Sequence, residues 1–162
     1  MTSKAGFTDE EWTRMRRAPF VAGMAISIAD PGGPIEVAKE TMATLKATSS
    51  PPGQEELLIA LSQDIMAMTQ QKQNPVKGFK VENATLAGEQ VLGELREVAG
   101  TVRAKATPEE ADAFGNWMVA VAQDAADAAK EGGFMGFGAE QVSAGESSML
   151  SKLREAVDVD PA

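Results

Sequence analysis

The 162-residue chain contains no cysteine, no histidine and no tyrosine. Without cysteine there is no disulfide, no thiolate nucleophile and no iron–sulfur or Cys-ligated zinc centre. Without histidine, Ser-His-Asp and Cys-His catalysis are excluded. So is the Glu-x-x-His pair that holds di-iron in helical bundles. Long apolar runs are also missing. The best candidate, Ala18 to Ala29, is interrupted by Pro19, Gly23 and Ser27 and is shorter than the ~20 residues of a membrane span. It follows Arg16-Arg17 in the manner of a signal-peptide core, but it starts late and lies behind the acidic Asp9-Glu10-Glu11. A cytoplasmic protein without membrane insertion is expected. Positive charge is in deficit, with 15 Lys and Arg against 24 Asp and Glu and a net charge of −9. Such a field repels nucleic acid and anionic membranes, because phosphate binding needs a local excess of Lys and Arg. Hydrophobic residues make up 43% of the chain, which is too apolar for disorder and ample for one compact domain.

The hydrophobic pattern has the helical period nearly throughout. Thr8 with Glu11, Thr107-Pro108 with Glu110, and Ser143 with Glu146 each spell a capping box that opens a helix. Pro19 lacks the amide that an internal turn needs, so a break or kink is expected near Ala18. After Asp30-Pro31-Gly32-Gly33, Pro34 restarts a helix whose expected buried stripe is Ile35, Ala38, Met42 and Leu45. Residues 48–53 (TSSPPG) form an internal linker. The following helices present Leu57, Leu58, Leu61, Ile65 and Met68, then Val91, Leu92, Leu95, Val98, Ala99 and Val102. The next buries Phe114, Trp117, Met118, Val121, Ala122 and Ala125, and the last uses Leu150, Leu153 and Val157. Pro75 to Val81 reads as a loop, and residues 132–142 form a Gly-rich loop. No segment alternates with period two long enough for a sheet. The expectation is an all-α, single-domain antiparallel bundle of about six helices.

Several clusters are candidates for function. Glu36 and Glu40 share a helix face, as do Asp124, Asp127 and Glu131. If the two faces meet near Asp30, a hard cation such as calcium or magnesium is the fitting ligand, because such ions take oxygen donors from several elements. Otherwise these are solvated outer faces. Arg14 and Arg17 lie on one side of the first helix, where they suit a phosphate or an acidic protein partner, or pair locally with Glu10. Phe134, Met135 and Phe137, set among glycines, read as a docking lip for a partner or as a plug for one end of the bundle. Asp64, at the edge of an apolar stripe, is expected to be partly buried and paired or protonated.

The segment Ala29-Asp30-Pro31-Gly32-Gly33-Pro34-Ile35-Glu36 resembles the turn of TerB-like helical domains, in which Ala-Asp-Gly leads to a Glu-bearing helix. Gly136-Phe137-Gly138 through Val142-Ser143-Ala144-Gly145-Glu146 resembles a second copy of that turn. The resemblance implies an all-α bundle associated with tellurite and other stress responses, with acidic residues near the turns that are proposed to bind metal. Pro31 directly after the aspartate and the lack of a second Asp-Gly depart from that pattern. The sequence reading is thus a non-enzymatic module for protein–protein contact, stress- or envelope-associated, acting on another protein or as a homodimer. The alternative is a bundle that binds a divalent cation or a small molecule through its acidic helix turns.

Overall fold

Thr8 Oγ1 accepts from Glu11 N at 3.1 Å while Glu11 Oε2 accepts from Thr8 N at 2.8 Å, and this reciprocal cap opens the first helix. The computed structural model describes residues 3–130 and 143–159. Its helices are α1 (Asp9–Ala29), α2 (Pro34–Thr48), α3 (Glu56–Gln70), α4 (Ala87–Lys105), α5 (Pro108–Lys130) and α6 (Ala144–Ala156). No strand occurs among the described residues, and the chain is an all-α helical bundle. The caps at Thr107–Glu110 and Ser143–Glu146 close as the sequence requires. Residues 71–83 contain no helix or strand, in line with the expected loop.

Helix α1 is the axis of the molecule and packs on each of the other five helices. Ten of its residues are buried, among them Met15, Val21 and Ile26. The break expected at Pro19 does not occur, because α1 runs unbroken from Asp9 to Ala29. A proline inside a helix costs about 3 kcal/mol. Contacts on every side of α1 offset that cost, and a free helix would have no such compensation. One hydrophobic cluster unites Trp12, Met15, Leu61, Leu95, Phe114, Trp117 and Leu153 with their neighbours. The apolar positions named from the sequence in α3, α4, α5 and α6, with Val157 just after α6, are buried in it, except Ala99, which is half-buried against it.

Helix α2 is turned the other way round. Ile35 is 71% exposed and Met42 66% exposed, Ala38 is exposed and Leu45 is half-buried. The buried face is instead Glu40, Thr44, Ala47 and Thr48. The reason is close approach to α1 and α5. A Cβ on Gly23 of α1 would overlap the hydroxyl and methyl of Thr44, so the two backbones meet where side chains are small. The polar atoms on this face are satisfied locally: Thr48 Oγ1 donates to Leu45 O at 2.7 Å, and the buried Trp117 Nε1 of α5 donates to Ala47 O at 3.1 Å.

Candidate functional site

The α1–α2 crossing forms one side of a half-open cavity of about 370 Å³. Its walls are Phe20, Gly23 and Met24 of α1, Leu45 of α2, and Pro75 and Val76 of the loop after α3. Four polar side chains join them: Ser27, Glu40, Thr41 and Thr44. The loop wall is shaped by an Asx turn, in which Asn74 Oδ1 accepts from Val76 N at 3.0 Å, and by Gly78 at φ +91°. Arg17 of α1 holds the loop in place. Its guanidinium donates to Lys77 O at 3.3 Å and lies over the Phe79 ring.

Glu40 is the chemical centre of this cavity. It is 2% exposed, and its carboxyl accepts a hydrogen bond from the Ser27 hydroxyl. Burial pushes its pKa up, the Ser27 bond opposes that, and the charges of Glu146, Asp30 and Glu36 push it further up. These three carboxylates come from the two stretches noted in the sequence, and the described end of the second, at the start of α6, lies against the end of α1. A Cβ on Gly145, at the start of α6, would sit 2.8 Å from the carbonyl oxygen of Ala29 at the end of α1. The chain matches no protein-family model, no curated protein and no solved structure.

The six-carboxylate metal centre does not form in the described part of the molecule. Asp30, Glu36 and Glu40 cluster at the α1–α2 turn, whereas Asp124 and Asp127 stand exposed on α5. There Asp127 accepts from Gln123 Nε2 at 3.0 Å, and Lys46 of α2 lies near Asp124. Burial and the Asp127 charge raise the Asp124 pKa, and Lys46 opposes them. Among the described residues no group of three or more Asp or Glu side chains is gathered closely enough to hold a metal ion. Glu131 lies outside the described residues, as do Phe134, Met135, Phe137 and the Gly-rich loop 132–142.

Arg14 and Arg17 are committed inside the fold. Their partner is Glu94 of α4 rather than Glu10: Arg14 Nη2 and Arg17 Nη2 donate to its two oxygens at 2.7 and 3.1 Å. Burial alone would raise the Glu94 pKa, but the two guanidiniums hold it below the ordinary carboxylate range. Asp64 is paired, with Trp12 Nε1 at 2.7 Å and Lys4 Nζ at 3.3 Å, and these donors outweigh its burial to keep its pKa low. No helix of the described residues is long and apolar enough to cross a membrane.

Sequence reasoning singled out Glu40 as a cation ligand or part of a solvated face, and it missed the burial of Glu40 and the cavity around it. A usable signal was there. Glu40, Thr44, Ala47 and Thr48 form a helical stripe of their own, opposite Ile35, Ala38 and Met42. Hydrophobicity alone chose the wrong one of the two.

Proposed function

We propose that this bundle is a small-molecule binding protein that takes a compact, largely apolar ligand between α1, α2 and the loop at Pro75–Val76. The observation that carries this reading is the buried Glu40, paired with Ser27, inside a largely apolar cavity of about 370 Å³. That size lies in the usual range of ligand sites, roughly 300–1,000 Å³, and a few polar groups in apolar walls are their common make-up. Phe20, Met24, Leu45 and Val76 supply the apolar contact, while the Glu40 carboxyl and the Thr41 and Thr44 hydroxyls orient the polar atoms of the ligand. Asp30, Glu36 and Glu146 surround Glu40 with negative charge, so a neutral or cationic ligand is favoured and an anion is rejected. The stretches that resemble TerB-like turns are the ones that supply these carboxylates.

The test is a thermal-shift screen of neutral, cationic and anionic apolar compounds, followed by titration of the hits. A ligand present at 100 times its Kd stabilises the fold by about 2.7 kcal/mol. Hits are expected in the neutral and cationic classes, with affinity lost in a Met24→Trp variant that fills the cavity. Hits that bind Met24→Trp as well as the parent sink the proposal.

A second reading, contact with another protein, is favoured by the outer face of α2. Ile35 and Met42 stand exposed there, and Ala38, Met42 and Ala43 line an open groove with Ala128 of α5. Lys39 and Lys46 line the same groove, so an acidic amphipathic helix of a partner fits it better than a second copy, whose own lysines would be brought face to face.

A further inference from the structure

A second cavity, of about 380 Å³, lies on the other side of the loop that closes the first. Pro75 belongs to both. The character of the second is opposite to that of the first. Its lining brings together Arg16, Arg17 and Lys77, with no Asp or Glu among the lining residues. We infer that this cavity is a binding site for a small phosphate monoester.

In a chain of net charge −9, three cations facing one hollow without an acid form a local reversal of the field, and a cleft concentrates such a field. The three are not equivalent. Arg17 is spent on Glu94, on Lys77 O and on the Phe79 ring, and serves as the fixed back wall. The side chains of Arg16 and Lys77 make no ion pair or hydrogen bond among the described residues. Glu94 is bonded to Arg14 and Arg17, and Asp64 to Lys4 and Trp12; Asp64 also acts on Arg16 through space, without a hydrogen bond or ion pair to it. Two unspent cations match a phosphate monoester, which carries nearly two negative charges near neutral pH. A monocarboxylate would leave one of them unanswered.

The remaining walls suit an organic group on the phosphate. Asn74 uses only its carbonyl oxygen in the Asx turn, and its amide protons remain for a ligand. Thr13 donates its hydroxyl proton to Asp9 O at 2.7 Å, which leaves an oxygen that accepts from a ligand hydroxyl. Met68 and Pro75 give apolar contact to the carbon skeleton. The large negative charge of the whole chain turns away nucleic acids and phospholipid surfaces, so the site selects a small, free ester.

The experiment is isothermal titration of the full chain at low salt. The probes are inorganic phosphate, glycerol 3-phosphate and glucose 6-phosphate, with sulfate and glucose as controls. Saturable one-to-one binding of a phosphate ester is expected, tighter than sulfate and absent for glucose. Arg16→Gln and Lys77→Gln are each expected to weaken it about tenfold, the loss of one charge-assisted hydrogen bond. Neither substitution removes a side-chain hydrogen bond or ion pair of the described residues, so both variants should stay close to the parent's melting temperature, and circular dichroism checks that they do. No saturable heat with any phosphate probe overturns the proposal. So does sulfate binding as tightly as the best ester, or unchanged affinity in both variants. The apolar-ligand reading of the first cavity stands or falls separately, since its test uses different ligands and Met24.

Discussion

Glu94 shows how much one side chain can hold. It is a single carboxylate, 11% exposed, that answers two guanidiniums of α1 which are themselves 26% and 12% exposed. Removing its charge while keeping its shape leaves Arg14 and Arg17 with uncompensated, partly desolvated charge. Glu94→Gln is therefore expected to cost about 2–3 kcal/mol by urea unfolding, below the largest values because Arg14 retains some contact with water. Glu97, the other partner of Arg14, is 68% exposed, and Glu97→Gln should cost less than about 1 kcal/mol. Equal losses from the two variants would show that burial does not govern this network. Little of it was legible in the sequence. Arg14 and Arg17 were visible as a pair on one face, but their partner is 80 positions away for Arg14, and Glu10 at i−4 offered a nearer, wrong answer. Local spacing identifies charges that must be neutralised without identifying what neutralises them. The capping boxes, by contrast, are complete within four consecutive residues, and all three form as read.

At the scale of the element, α2 carries the lesson. A helix buries whichever face its neighbours can approach, and α1 offers Gly23 at the crossing. Gly23→Ala gains about 1 kcal/mol of helix propensity but drives a methyl into Thr44, a short, β-branched, buried side chain with little room to turn. Overpacking of this kind costs about 1–3 kcal/mol, so a net loss of roughly 1 kcal/mol is expected. Thr44→Ala in the same chain should recover it, and a thermodynamic cycle of the two variants by thermal denaturation measures the coupling. Additive effects would place α1 and α2 further apart than described. Helices α3 to α6 were legible as to both position and buried face because their apolar stripes meet the common core. Helix α2 was legible only as a helix, since its two stripes compete and the choice rests on a glycine in another helix. The continuity of α1 escaped for a related reason: the proline penalty is local, and what offsets it is contact with five other helices.

At the scale of the whole molecule, the lack of histidine simplifies the response to pH. No side chain of ordinary pKa changes charge between pH 5 and 8, so a stability change in that window reports carboxyls displaced upward. Glu40 and Asp124 are displaced in that direction. For a carboxyl whose pKa is higher folded than unfolded, the folded state binds the extra proton. Its contribution is complete below the unfolded value, near 4.5 for Glu, and is lost as pH rises through the folded value. The parent should therefore lose melting temperature as pH rises above the ordinary carboxylate range, and Glu40→Gln should lose less, so that the two curves separate as pH rises. Parallel curves would place Glu40 in an ordinary environment. Glu94 acts with the opposite sign, since its stabilisation fades as pH falls below the ordinary carboxylate range. The fold thus loses the support of its ion pairs on the acid side and carries the charge of the buried Glu40 on the alkaline side.

The indole of Trp117, sealed in the core and tied to the end of α2, has an optical consequence. With no tyrosine in the chain and only two tryptophans, replacing Trp12 by phenylalanine leaves a single emitter beside the helix that forms one wall of the first cavity. Its colour and lifetime then become an internal gauge of whether that helix stays seated when the cavity fills, read without any attached dye.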